Sequence, residues 1–91
     1  MEITDVRIRK IDGKNRLVAV ASITFDACFV VHEIKIIQGD NGLFITMPSH
    51  KCANGEYKDI AHPIEQSMRD LITEKVLNAY EEALTEDNNV W

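Results

Sequence analysis

The sequence predicts an α+β domain, an antiparallel sheet of about five strands in two hairpins followed by a C-terminal helix. Three observations carry that prediction. Segments rich in β-branched residues alternate with turn residues as far as about Ile60. An Asn54-Gly55 dipeptide, the strongest short hairpin signal, sits between two of them. Beyond Pro63 the apolar residues switch to three- and four-residue spacing, the signature of a helix.

The first strand is expected over Ile3 to Lys10, where Val6 and Ile8 alternate with Arg7 and Arg9. Residues 11–16 read as a turn, and Leu17 to Phe25 as the second strand. Cys28 to Gln38 is the strongest strand pattern in the chain. With Asp26-Ala27 as a two-residue turn, Phe25 would pair with Cys28, Ile23 with Val30, Ala21 with His32, Ala19 with Ile34 and Leu17 with Ile36. That face is apolar except for His32. The opposite face, with Val18, Val20, Phe29 and Val31 among polar residues, is expected to be partly covered by another subunit.

After a turn at 38–42, a second hairpin is expected, with strands near Leu43 to Cys52 and Glu56 to Ile60. A turn at Asn54-Gly55 would set Cys52 opposite Tyr57, Lys51 opposite Lys58 and His50 opposite Asp59. Ser67 resembles a helix N-cap with Asp70 three residues on. Ile64, Met68, Leu71, Ile72, Val76, Ala79, Tyr80 and Ala83 form the apolar stripe of the helix. The reading is one domain over residues 1–84, with 85–91 as an acidic, frayed tail.

A chain of 91 residues buries only a modest core, so dimerisation would help it. No apolar run approaches the roughly 20 residues needed to cross a bilayer. The chain opens without a basic region followed by an apolar one, so a cytoplasmic protein with no membrane partner is expected. The two cysteines, Cys28 and Cys52, are then expected reduced. Net charge is −5, and the excess lies in residues 61–91, with two basic against seven acidic residues. Residues 1–60 balance at eight of each, which leaves room for a local basic patch.

Two lysines facing each other at positions 51 and 58 repel unless an anion lies near them. This suggests a phosphate-contacting ribbon aided by His50 and Arg69; a solvated hairpin tip with splayed lysines fits the same residues. Arg7, Arg9 and Lys10, with Lys14 and Arg16 across a turn, form a second basic set. Charge on an edge strand also serves to block aggregation. Cys28, His32, His50, Cys52 and His62 lack the paired short spacings of a zinc site, and His32 reads as a core-face histidine with a hydrogen-bonded partner. Cys52, His50, His62 and Asp59 lie close in sequence, but no oxyanion loop or enclosed pocket accompanies them. No catalytic residue, metal site or cofactor is assigned, and an enzyme is not expected.

Several segments resemble the septation regulator SpoVG family (stage V sporulation protein G). They are Met1-Glu2-Ile3-Thr4-Asp5-Val6-Arg7, Ala21-Ser22-Ile23-Thr24-Phe25-Asp26, Phe29-Val30-Val31-His32, Asn41-Gly42-Leu43-Phe44, Met47-Pro48-Ser49 and Gly55-Glu56-Tyr57-Lys58-Asp59-Ile60-Ala61-His62-Pro63-Ile64. The resemblance spans about residues 1–82, in order. It implies a homodimeric, cytoplasmic bacterial protein that binds DNA and RNA and influences septation, sporulation and gene expression. Its basic residues near Met47-Pro48-Ser49 and the helix start would meet the nucleic acid. His50 stands where the family commonly has Arg, which would weaken a phosphate contact or make it pH-dependent. The expected nucleic-acid contacts are therefore Lys51, Lys58 and Arg69, assisted by His50, with Arg7 and Arg9 secondary. The alternative is a protein-interaction adaptor in cell division that docks a partner by the mixed sheet face or the acidic helix.

Overall fold

The computed structural model describes residues 1–11 and 15–88, with side chains described through residue 84. Lys14 of the basic set and the tip of the first predicted turn lie outside the described residues. The elements are β1 (Ile3–Lys10), β2 (Leu17–Phe25), β3 (Phe29–Gly39), β4 (Gly42–Thr46), β5 (Ser49–Lys51), β6 (Tyr57–Asp59) and α1 (Gln66–Asn88). The first four strands form an antiparallel meander in the order β1-β2-β3-β4, and β5 pairs with β6 in a separate two-stranded sheet. The α+β class agrees with the sequence reading, but the described residues form six strands in two sheets. The strand expected across Leu43 to Cys52 is broken after Thr46, where Pro48 has no N–H to offer a ladder.

One face of the meander receives the helix. Ala19, Ala21, Ile23, Phe25, Ile34, Ile36, Ile45 and Met47 are buried there against Ile72 and Val76. Val6 and Ile8 of β1 pack at the margin, as do Met68, Leu77 and Tyr80 of the helix. Met68, Ile72, Val76 and Tyr80 recur every fourth residue, so they stack along one side of α1. Two details of the predicted helix change. The amide of Arg69 donates to the Glu65 carbonyl at 3.1 Å, so the helix starts one turn position before Ser67, and Ser67 is not its cap. Ile64 precedes the helix and is 92% exposed, so it does not belong to the stripe. The helix continues to Asn88, and residues 89–91 of the expected tail lie outside the described residues.

The β2–β3 register differs from the predicted one, and the reason is local. Asp26 and Ala27 do form the turn, both with positive φ (51° and 55°), and the Cys28 amide donates to the Phe25 carbonyl at 3.0 Å. Cys28 is then an extra residue, so Phe25 pairs with Phe29, Thr24 with Val30 and Ile23 with Val31. A second shift falls between Ala21 and Ile23, where Glu33 takes φ 65°. Beyond it Ala21 pairs with Ile34 and Ala19 with Ile36. A left-handed conformation costs a residue with a Cβ about 1 kcal/mol. At the turn that cost is offset by the N-terminus. The Asp26 amide donates to the Glu2 carbonyl at 2.8 Å, the Glu2 amide to Asp26 Oδ1 at 2.8 Å, and the Ala27 amide to Thr4 Oγ1 at 2.9 Å.

These shifts correct the predicted faces. Val31 turns toward the core, and Val30 is exposed. His32 is not on the core face; it is exposed on the opposite side, with Nδ1 hydrogen-bonded to Ser22 Oγ at 2.9 Å. At the far end of β3, Gly39 pairs with Gly42. The Phe44 ring lies over Gly39 so closely that a Cβ there would sit 2.9 Å from Cε1.

The register makes a stability prediction. Ile36→Ala is expected to cost about 2–5 kcal/mol, whereas its neighbour Lys35→Ala stays within about 0.5 kcal/mol, as urea unfolding would measure. Equal losses at the two positions would refute the alternation assigned to β3.

Candidate nucleic-acid interface

The hairpin of β5 and β6 stands apart from the core, and every residue in its two strands is exposed. It is closed at its base by the Ile60 amide donating to the Pro48 carbonyl, and at its tip by the Cys52 amide donating to Glu56, both at 2.7 Å. The turn is not the expected two-residue type. Ala53, Asn54 and Gly55 form a three-residue loop, in which the Gly55 amide donates to Cys52 at 2.9 Å and Gly55 takes φ 90°. Asn54 Oδ1 accepts from the Glu56 amide at 3.1 Å and fixes the exit.

One extra residue in the loop shifts the whole hairpin. His50 pairs with Lys58, Lys51 with Tyr57 and Ser49 with Asp59. Lys51 and Lys58 therefore do not face each other, and the expected repulsion between them across the ladder is absent. Adjacent residues of a strand point to opposite faces. One face of the ribbon presents Lys51 beside Tyr57, and the other presents Lys58 beside His50. Tyr57 is 70% exposed and spends its ring on no packing partner in the core.

The remaining predicted contacts do not gather at the hairpin. Arg69 is half-buried in the first turns of α1, and that helix packs on β1, β4 and β2. Arg7 and Arg9 are exposed on β1, on the face of the sheet turned away from the helix, because Val6 and Ile8 take the inward positions. The Arg7 Nε donates to Asp5 Oδ2 at 3.0 Å, in an exposed pair that contributes little to stability. Arg9 has no carboxylate partner among the described residues. The sequence reading leaves two features of this open face out of the candidate site. Lys35, cross-strand from Val20 as Arg9 is on its other side, adds an exposed cation to the same row. His32 and Ser22 form their hydrogen-bonded couple there as well. Alternation through Ile34-Lys35-Ile36 could have found the first; the second depended on the bulge.

An apolar groove of about 190 Å³ opens between the β2–β3 tip and the chain leading into the helix, with Met1, Phe29, Met47, Pro63 and Met68 in its walls. Met1 is 75% exposed and Phe29 62%. Among the described residues, no three His, Cys, Asp or Glu side chains come together as a metal site, and both cysteines are free. No described helix is long and apolar enough to cross a membrane.

The arrangement is that of a small α+β domain whose polar side chains are spread over an exposed hairpin and an open sheet face. The SpoVG family model matches residues 1–82, and the chain belongs to the SpoVG family. It is 59% identical over 85 residues to a Caldicellulosiruptor saccharolyticus protein named "Putative septation protein SpoVG", covering 93% of this chain and 97% of that one. A Clostridium botulinum protein of the same name is 54% identical over 88 residues, covering 97% of both chains. A Heliobacterium modesticaldum relative is 52% identical over 84 residues, covering 92% of this chain and 94% of its own. The names of these relatives refer to septation and to no catalytic activity.

The loop geometry is testable by itself. Gly55→Ala forces a Cβ into a left-handed conformation and is expected to weaken the hairpin by about 1 kcal/mol. Amide exchange would show this as faster exchange in β5 and β6, with protection in β2 and β3 unchanged. Uniform loss of protection would mean that the hairpin is part of the global folding unit.

Proposed function

We propose that the chain is a cytoplasmic, nucleic-acid-binding regulator acting in septation, and that it works as a homodimer. The observation that carries this reading is the β5–β6 ribbon, whose Lys51, Lys58 and Tyr57 are exposed and serve no core contact. Lysines supply phosphate contacts, which give affinity without sequence information. A tyrosine beside a lysine adds a stacking surface for an unpaired base, the combination that suits single strands. His50 assists on the Lys58 face. Arg69, and Arg7 with Arg9, serve as outlying contacts that a longer strand reaches. The resemblance to the family supports DNA or RNA as the ligand, and links to sporulation or gene expression follow from it alone.

The dimer is supported by the apolar groove. Ile64 is 92% exposed next to Pro63, which lines it, and Ile60 is 66% exposed next to Ala61, which lines it as well. A second copy of the chain would cover this surface and place two ribbons on one particle, so that weak contacts add by avidity. Ile64→Glu is expected to shift the protein toward monomer in sedimentation and to weaken nucleic-acid binding at the same time. A wild-type protein that sediments as a monomer with this surface bare would favour the adaptor reading, with a division protein in the groove.

Fluorescence anisotropy of a labelled single strand across a salt series tests the ribbon. Lys51→Glu and Lys58→Glu should each lower affinity and reduce the salt slope by about one. Tyr57→Ala should cost about 1–3 kcal/mol per stacked base with the slope unchanged. His50→Arg should raise affinity. Binding that ignores all four substitutions would remove the hairpin from the interface.

A further inference from the structure

On the open face of the meander, a shallow depression of about 240 Å³ is walled by Arg7, Arg9, Ser22, His32 and Glu33 over a floor of Val20, with the chain at Ile8 passing between the two arginines. Val20 is only 9% exposed, although it lies on the face away from the helix, because the longer side chains around it stand up as walls. Arg9 is without a carboxylate partner among the described residues. The Ser22–His32 hydrogen bond, at 2.9 Å, holds the imidazole through Nδ1 and leaves Nε2 for a ligand. Glu33 owes its place on the wall to its positive φ of 65° at the bulge. Strain of this kind in a residue other than glycine persists only where the surroundings impose it, and it concentrates at functional positions.

The chemistry of the walls narrows the ligand. Guanidinium groups alone would suit any anion, but Glu33 would repel one that came without a donor of its own. An apolar floor, cations on one side and a carboxylate on the other match a molecule that is flat, carries a phosphate and offers an N–H group. We propose that this depression binds a single nucleotide, its phosphate on Arg9, with Arg7 beside it held by Asp5, its base over Val20 and an exocyclic amino group donating to Glu33. A carboxylate accepts from the amino group of cytosine, and uracil has no such donor. The site therefore discriminates cytidine from uridine. It deepens the nucleic-acid reading in one respect only, the source of the nucleotide, and uses none of the hairpin residues.

The test is an NMR titration of the full-length protein with cytidine 5′-monophosphate, uridine 5′-monophosphate and inorganic phosphate, following His32, Ser22 and the Val20 methyls. Cytidine monophosphate should shift all three and bind about tenfold tighter than uridine monophosphate, a ratio within the range of one such contact. Glu33→Gln should erase the preference, and Arg9→Gln should weaken both nucleotides. Glu33→Gly relieves the positive φ, so it should keep or raise the urea midpoint while losing the preference, which separates binding from folding. No shift at these residues, or equal shifts with inorganic phosphate, overturns the site. The Lys51→Glu, Lys58→Glu double variant separates the two readings: it should lose binding of a long strand and still bind cytidine monophosphate. If a short oligocytidine reproduces the His32 shifts in that variant, the source is an unpaired base of a strand. If only the monophosphate does, the source is a free nucleotide. Loss of cytidine monophosphate binding in the double variant would place the nucleotide at the hairpin and overturn the proposal.

Discussion

The structure depends on keeping Ile34 and Ile36 on the same side of the sheet as Ala19, Ala21 and Ile23. The helix has one apolar seam, from Met68 through Ile72 and Val76 to Tyr80, and only a continuous apolar face can cover it. Strand side chains alternate strictly, so a single extra residue in β3 would send its second half to solvent. The turn into β3 carries one extra residue at Cys28, and β3 itself another at the His32–Glu33 bulge. Two single shifts restore the original phase, which is why Val31, Ile34 and Ile36 can all turn inward. Three residues with a Cβ and positive φ, Asp26, Ala27 and Glu33, are the conformational cost of that arrangement. Burial of large side chains such as Ile34 and Ile36, at about 1.5–3 kcal/mol each, outweighs it.

The same constraint distributes the chemistry. At the bulge, two consecutive polar residues leave the sheet on the open face, because neither can take an inward position. His32 thereby meets Ser22, and Glu33 meets the row of cations contributed by β1. At the other end, β4 delivers Met47 to the core, and Pro48 ends the ladder. The chain after it leaves the sheet and folds back on itself as a ribbon whose strand residues are all exposed. A two-stranded hairpin alone is marginal, so its positioning rests on the base contact between Pro48 and Ile60 and on the half-buried Ala61 and Pro63 that follow.

What was legible in the sequence follows from which signals are local. Alternation in Val6-Arg7-Ile8-Arg9 fixed the faces of β1, and the four-residue recurrence of Met68, Ile72, Val76 and Tyr80 fixed the face of the helix. Both patterns survive any choice of partner strand. The turn residues at Asp26-Ala27 and Asn54-Gly55 were legible too, but loop length was not. Each loop holds one residue more than the dipeptide suggests, since Cys28 and Ala53 carry no turn signal of their own. That one residue moved Lys51 from Lys58 to Tyr57 and His32 from the core to the open face. The family was legible from short distinctive segments, and those do not encode register. Thus the identities of the basic residues were readable, while their neighbours were not.

The net charge of −5 looks unfavourable for a nucleic-acid partner only if it is averaged over the chain. Asp70, Glu74, Glu81 and Glu82 are exposed on the helix, which lies over one face of the meander. Arg9 and Lys35 occupy the opposite face, and the ribbon cations lie outside the packed layers altogether. Exposed charges separated by more than about 8 Å are largely screened at physiological salt. The sheet itself, with two side-chain layers about 10 Å from a packed neighbour, is thick enough to separate the acidic helix from the open face by that measure. The acidic excess is thus concentrated on the helix-covered side, and by that measure it is screened from the cations of the ribbon and of the open face.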